Sequence, residues 1–236
     1  MFKAILEVIK YLEPDEIIHI GDLMDYPQPS RWTKGTREEF EGNIYSASEA
    51  AKKAILEPLR AVFDGPIGVH EGNHDMRPRL YLEKYAPALS QTDMLNFENL
   101  LDFDGFGITR LPDFYNVAAG WITTHGHLGG IRLNQNAGMT ALNGAKRIGK
   151  NIIMGHTHRA GVSSFTQGIE GQTNTITGVE VGHILNPKAV TYLRGASGNW
   201  QQGFALLEID KNNVTPRILP VLGNKVIVDG VVFPTR

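Results

Sequence analysis

The sequence predicts an α/β fold in which two β-sheets pack together with helices on the outside, and three observations support this prediction. In the first two-thirds of the chain, segments with helical apolar spacing alternate with short apolar runs typical of buried strands. From about Ile176 onward, apolar runs separated by glycine or asparagine turns predict successive strands. Polar clusters that contain glycine follow the early strands, which is where sites form in α/β sheets.

The early helices and strands follow from apolar spacing. Residues 1–12 are predicted to form a helix that Pro14 ends, and a second helix over residues 44–59 should bend or end near Pro58. A third helix is predicted from Met139 to Ile148. Short apolar runs predict buried strands at residues 16–20, Ile67–Val69, Trp121–Thr124 and Asn151–Met154.

The later part of the chain is predicted to be mostly strand. The expected strands cover residues 179–184, 189–193, 204–209, 214–222 and 226–233. No internal repeat interrupts this pattern. The length of 236 residues suits one large domain or at most two small ones, and residues 1–236 are expected to form a single domain.

Composition restricts the class of protein. The net charge of −2 provides no basic surface of the kind that duplex nucleic acid requires, although it does not exclude a small nucleotide substrate. The sequence has no cysteine, so any metal must be held by oxygen and imidazole ligands. Without a signal-peptide pattern or an apolar run of membrane-spanning length, the expected location is the cytoplasm, with no membrane partner.

Four polar clusters contain the candidate metal-ligating and catalytic residues. They are Gly21-Asp22-Leu23-Met24-Asp25, Gly72-Asn73-His74-Asp75, His125-Gly126-His127 and Gly155-His156-Thr157-His158. Five of the eight histidines lie in these clusters, a concentration that surface histidines would not show. Carboxylate, amide and imidazole ligands suit Mn, Zn, Fe, Co or Ni, and two such ions close together can clamp a phosphoryl group.

In this order, the four clusters resemble the motifs of the calcineurin-like metallophosphoesterases, over roughly residues 15–160. The resemblance implies a four-layer αββα fold, a dinuclear metal centre and hydrolysis of phosphodiester or phosphomonoester bonds by a metal-bound hydroxide. Small, nucleotide-type substrates are expected. Tyr26 stands where the phosphoprotein phosphatases of the superfamily carry arginine, and Asp75 where they carry glutamate, which counts against phosphoprotein substrates.

The resemblance also implies a set of metal ligands. Asp22 would bridge two divalent ions. Asn73, His125 and His156 would complete the coordination of the second ion, and His158 would bind the first.

Two further residues are implied to act on the substrate. His74 would serve as general acid or transition-state stabiliser, and Asp25 would orient the His74 ring.

One motif of the family is absent from this sequence. The family begins with an Asp-x-His on a first strand that supplies two more ligands to the first metal, whereas this sequence begins in the helix expected after that strand. Two explanations stay open: a chain shortened at its start, which we favour, or a natural variant that binds one ion or none. The nucleotides upstream are expected to encode the absent strand.

Other polar residues are assigned mainly structural roles. His19, His70 and His183 are expected to pack in or beside strands, and Asp75 to form local hydrogen bonds. His127 is expected to be structural, with contact to substrate as the alternative.

Three alternatives stay open at this point. The basic, aromatic loop at residues 31–37 is expected to be solvated, the alternative being that it closes over a phosphate and stacks on a base. Two further alternatives to a small phosphoesterase concern the whole chain. One is an Mre11-like nuclease, and the other is a non-enzymatic scaffold of the same fold with an incomplete metal site. Oligomeric state is not predicted.

Overall fold

The computed structural model describes residues 1–186, 198–211 and 213–235 of the chain. The protein is of the α/β class with several β-sheets, which confirms the predicted class. The chain divides into two compact units. We call Ile9–Pro112 the N-terminal unit, and Met1–Val8 with Asp113–Arg236 the C-terminal unit.

The helices include the three that apolar spacing predicts. The bounds of all the α-helices in the described residues are α1 Phe2–Leu12, α2 Arg37–Phe40, α3 Ile44–Ala51, α4 Glu57–Arg60, α5 Arg77–Tyr85, α6 Phe97–Leu100 and α7 Met139–Ile148. A 3₁₀ turn lies at Pro87–Leu89. Within the ranges that the structure describes, none of these helices combines the length and the apolar character that crossing a bilayer requires.

A π-helical turn precedes Pro58, the residue near which the sequence predicts that the helix bends or ends. This turn, Lys52–Leu56, lies between α3 and α4, and the Glu57 N–H donates to the Lys52 carbonyl five residues earlier. In a regular α-helix the ring of Pro58 would clash with the carbonyl four residues before it. The wider turn removes that clash and lets the helical path continue to Arg60.

The N-terminal unit contains a sheet of three parallel strands in the order β1-β2-β3. The bounds are β1 Ile17–His19, β2 Ile67–Val69 and β3 Ile108–Arg110. On the central strand, Ile67 pairs with Ile17 on one side and with Ile108 on the other. Because β1 and β2 are parallel neighbours, the loops that follow them leave the same edge of the sheet side by side.

The C-terminal unit contains a five-stranded sheet and two hairpins. The strands are β4 Tyr115–Ala118, β5 Trp121–Thr124, β6 Asn151–Met154, β7 Ala160–Ile169, β8 Gln172–Val181, β9 Gly203–Asp210, β10 Asn213–Pro220, β11 Lys225–Val228 and β12 Val231–Pro234. The sheet order is β4-β5-β6-β8-β7, in which β5, β6 and β8 are parallel and the two edge strands are antiparallel. The pairs β9-β10 and β11-β12 are antiparallel.

Both faces of the five-stranded sheet are covered within this unit. Ile152 packs with Ala141 and Ala145 of α7, and all three are completely buried. The next residue, Ile153, points to the other face and packs with Leu207 and other apolar residues of the β9-β10 hairpin. Alternation along one strand therefore supplies a helix-facing core and a hairpin-facing core.

The predicted strand at residues 226–233 is wrong as a single element, because it is the β11-β12 hairpin. Asp229 and Gly230 form its turn, with φ of 49° and 83°. Two consecutive residues with positive φ are typical of the tight hairpin turn that Asp-Gly favours. The strand predicted at residues 189–193 lies outside the described residues.

Strands β3, β4 and β7 were not predicted from the sequence. The first two have only three and four residues. Strand β7 is polar and mostly exposed, and it is held at the sheet edge by hydroxyl pairs such as Ser164–Thr177 at 2.9 Å and Thr166–Thr175 at 2.8 Å. Such a strand has no apolar pattern to reveal it.

Candidate metal and phosphoester site

The predicted site residues fall into two groups, one in each unit. The N-terminal unit contains Asp22, Asp25, Asn73 and His74, and the C-terminal unit contains His125, His156 and His158. In both units the residues follow two neighbouring parallel strands, β1 and β2 in one and β5 and β6 in the other.

A buried carboxylate, Asp75, fastens the two loops of the N-terminal unit together. It is 1% exposed and accepts backbone N–H groups from Asp22 at 2.8 Å, Met24 at 2.8 Å and Gly72 at 2.7 Å. Two of these donors belong to the loop after β1, while Asp75 itself follows β2. Its role therefore extends beyond the local hydrogen bonding expected from the sequence.

The close approach of the loops that follow β1 and β2 requires glycine at position 72. A Cβ on Gly72 would lie 2.1 Å from Asp22 Oδ1 and 2.3 Å from the Asp22 backbone nitrogen. The same Oδ1 accepts the backbone N–H of His74 at 2.9 Å. Asp22 has φ of 53°, a left-handed conformation that costs a non-glycine residue about 1–3 kcal/mol and concentrates at functional sites. Its backbone and carboxylate are thus both fixed.

His74 is oriented by Asp25 and Arg77. His74 Nδ1 lies 2.6 Å from Asp25 Oδ1, and Arg77 Nη1 donates to that oxygen at 2.8 Å and to the Asp25 carbonyl at 2.5 Å. Arg77 Nη2 lies 3.3 Å from His74 Nε2. Because a guanidinium only donates, Nε2 is the acceptor here and Nδ1 donates its proton to Asp25.

The charge of Asp25 is stabilised by the same neighbours. The hydrogen bond from His74 is the largest influence that lowers the pKa of Asp25 below its ordinary value, and the nearby Arg77 acts in the same direction, against a desolvation that raises it. Asp25 is therefore a carboxylate at neutral pH and remains the acceptor for His74 Nδ1.

In the C-terminal unit, His125 and His156 lie side by side. Their ring centres are 5.0 Å apart, and one ring nitrogen of each lies within 4.8 Å of the other. Two imidazoles that bind one ion at metal–nitrogen distances of about 2.0–2.1 Å have ring centres about 5–6 Å apart. The spacing therefore fits a shared divalent ion. The ring of His127 also lies here, 5.2 Å from that of His125.

His158 belongs to a second aromatic group. Its ring centre is 5.6 Å from that of His183 and 4.5 Å from that of Trp200. His156 and His158 have φ of 64° and 59°, so both stand in the left-handed region that non-glycine residues rarely adopt. Burial, followed by the proximity of His158, lowers the pKa of His183 to about 4.

A fully buried glutamate on β8 supports the segment that contains these two histidines. Glu180 Oε2 accepts the Thr157 hydroxyl at 2.9 Å, and Oε1 accepts the backbone N–H groups of Thr140 at 2.8 Å and Ala141 at 3.3 Å. The last two are among the N–H groups that the first turn of α7 leaves without helical partners. One side chain thus connects the start of α7 to the Gly155–His158 cluster.

Replacing Glu180 with alanine is expected to lower the free energy of unfolding by about 2–4 kcal/mol, because three buried donors lose their acceptor. Glu180→Gln is the matched control, since its amide oxygen can still accept from the start of α7, and about half that loss is expected. Urea denaturation measures both values. Equal stability of the alanine variant and the parent protein would contradict this role.

Sequence reasoning missed Glu180 and Arg77. Glu180 carried a usable signal, because a charged residue between Val179 and Val181 interrupts a strand that is otherwise apolar. Arg77 carried a weaker one, since it stands three residues after His74 at the start of α5.

The basic, aromatic loop is largely exposed, as the sequence interpretation expected. Trp32 is 73% exposed, and the Arg31 guanidinium lies 4.6 Å from its ring centre. The Lys34 ammonium packs 3.8 Å from the ring centre of Tyr85. These contacts lie within the loop and between the loop and α5.

Comparison with known proteins gives close relatives. No protein-family model matches the sequence. The gene 54 protein of Mycobacterium phage D29 is 55% identical over 232 residues, which cover 98% of this chain and 91% of that protein. The gene 54 protein of Mycobacterium phage L5 is 53% identical over 232 residues, with the same two coverages.

Proposed function

The chain belongs to the family that contains the gene 54 proteins of Mycobacterium phages D29 and L5, and we propose that it is a metal-dependent phosphoesterase. The observation that carries the proposal is the hydrogen-bonded group of His74, Asp25 and Arg77, held beside the fixed carboxylate of Asp22. A proton-transfer residue, its orienting carboxylate and a cation suited to phosphate each favour phosphate-ester hydrolysis. The proposed substrates are small, nucleotide-type phosphodiesters or phosphomonoesters.

In this proposal, the metal ligands are those that the motif resemblance implies: Asp22, Asn73, His125, His156 and His158. The spacing of the His125 and His156 rings and the immobilised Asp22 carboxylate support it. The bound group is one or two divalent ions from Mn, Zn, Fe, Co or Ni. Such ions would neutralise charge on the phosphoryl oxygens and acidify a water molecule. The four-layer αββα arrangement of the family is part of the same proposal.

The residues of the N-terminal unit then have separate tasks. Once a substrate phosphate replaces His74 as the partner of Arg77, His74 Nε2 would take up a proton from water and donate it to the leaving alkoxide, while Nδ1 continues to donate to Asp25. Arg77 Nη2 faces Nε2 at 3.3 Å, so a phosphate oxygen placed at His74 is within reach of this guanidinium. Arg77 would thereby exchange its contact with His74 for a stronger charge-assisted bond to the substrate.

Hydrolysis of an activated aryl phosphodiester is expected to depend on added Mn²⁺ and to be abolished by a chelator. Asp22→Asn and His156→Ala should each weaken ion binding by more than about 10-fold, because each removes a proposed ligand. Asp15→Asn, an exposed carboxylate change, is the control and should bind and hydrolyse normally. Elemental analysis and initial rates measure the two properties.

Two outcomes would contradict this function. Ion binding without hydrolysis of any aryl or nucleotide phosphoester would favour the non-enzymatic scaffold. Equal activity on phosphoproteins would overturn the substrate class.

A further inference from the structure

Three neighbouring parallel strands of the C-terminal unit are each followed by histidine. Strand β5 is followed by His125, β6 by His156 and His158, and β8 by His183. Strand β8 pairs with β6 although β7 lies between them in the sequence. Because the carboxyl ends of parallel strands meet at one edge of the sheet, His183 shares that edge with His125, His156 and His158.

Backbone pairing holds His183 beside the segment that carries His158. The Gly182 N–H donates to the Arg159 carbonyl at 2.7 Å, and the Gln201 N–H donates to the His158 carbonyl at 2.9 Å. The His183 N–H in turn donates to the Gln201 carbonyl at 3.2 Å. Gly182 has φ of 84°, and a Cβ there would lie 2.7 Å from the Gln201 oxygen, so this close approach requires glycine. The two histidines are thus placed on a fixed framework.

The two rings have the spacing of a ligand pair. Their centres are 5.6 Å apart with an interplanar angle of 49°, within the separation of about 5–6 Å at which two imidazoles share one ion. Trp200 packs edge-on against both, 4.5 Å from His158 and 6.0 Å from His183. An indole in this position excludes water from one side of the histidine pair. This favours coordination of the ion by the two imidazoles over coordination by water.

His183 also has an unmet bonding requirement. Its Nδ1 is buried, and the part of the chain that the structure describes offers it no hydrogen-bond partner. A buried polar atom without a partner costs about 1–3 kcal/mol. Packing against Trp200 and His158 does not remove this cost, whereas donation of the nitrogen lone pair to a cation does.

We propose that His183 is a further metal ligand, which binds the same divalent ion as His158. The inference rests on the proposed function for the role of His158, but it requires only ion binding and not hydrolysis. It gives that ion two imidazoles from adjacent strand ends of one sheet. The sequence analysis expects His183 to be structural, and this proposal assigns it a ligand role instead.

The test is a Zn²⁺ and Co²⁺ titration of metal-free protein by calorimetry and cobalt absorption. His183→Phe keeps a ring of similar size and removes the nitrogens, so it separates ligation from packing. We expect this variant to bind the His158-dependent ion about 10–100-fold more weakly. In the double variant that combines His158→Ala with His183→Phe, the loss of ion-binding free energy should be smaller than the sum of the two single losses, because both substitutions affect the same site.

Trp32→Phe serves as the control, because it changes an exposed aromatic ring and removes no proposed ligand, and its ion affinity should stay within about threefold of the parent value. A direct reading comes from ¹⁵N-labelled parent protein, in which Zn²⁺ should shift the ring-nitrogen resonances of His183. This reading needs no variant to fold.

Unchanged affinity and stoichiometry in folded His183→Phe, or unshifted His183 resonances at saturating Zn²⁺, would overturn the inference. The result is separable from the proposed function. A parent protein that binds an ion through His158 and His183 but hydrolyses no phosphoester keeps this inference and rejects the enzyme. If the parent protein is active and metal-dependent but His183→Phe leaves its ion affinity unchanged, the proposed function stands and this inference is rejected.

Discussion

Replacing His74 with alanine is expected to lower turnover of a nucleotide-type phosphodiester by about 10²–10⁴-fold while the metal content stays unchanged. The ring is held by Asp25 at 2.6 Å and faces Arg77, a setting for proton transfer, and it is not among the proposed ligands. A substrate with an alkoxide leaving group needs the proton most. The loss should therefore be smaller for an aryl phosphodiester, whose leaving group departs without protonation.

Rates on the two substrates and elemental analysis of the same samples provide the measurement. Asp25→Asn is the matched control, since it keeps the His74 ring and removes only the charged acceptor. It should lose less activity than His74→Ala and bind metal equally. Equal losses on both substrates would make His74 a transition-state stabiliser and not a general acid. Loss of metal from His74→Ala would make it a ligand.

Replacing Asp75 with asparagine is expected to lower the free energy of unfolding by about 2–4 kcal/mol. In the native protein, Oδ2 accepts the N–H groups of Asp22 and Gly72, and Oδ1 accepts that of Met24. An asparagine amide has one accepting oxygen, so its NH₂ group must face at least one of these donors in either orientation. The site is buried, so water cannot compensate.

Urea denaturation measures this loss, with Asp25→Asn as a carboxylate-to-amide control in the same unit. The Asp25 side chain is 62% exposed, so a change of less than about 1 kcal/mol is expected there. Asp75→Asn should also weaken ion binding, because it releases the backbone that fixes Asp22. If the two variants are equally stable, Asp75 does not hold the loops together as described.

The sequence alone was sufficient wherever the signal was local. Helical apolar spacing located α7, and short apolar runs located strands β2, β5 and β6, at their observed bounds, because both signals come from side-chain burial within a single element. The rule that polar clusters follow parallel strands placed His125 and His156 correctly at neighbouring strand ends. An irregularity in the helix near Pro58 was likewise predicted, and the π-helical turn Lys52–Leu56 precedes this residue, since the missing N–H and the ring clash belong to proline itself.

Only the tertiary structure decided which distant residues meet. Strand β8 skips its sequence neighbour β7 to pair with β6, which brings His183 to the edge that carries His158. The acceptors Asp75 and Glu180 bind donors far from them in the chain, at separations of 51 residues for Met24 and 40 for Thr140. Sequence periodicity describes which way a side chain points within its own element, whereas these contacts depend on strand order, which long-range packing selects.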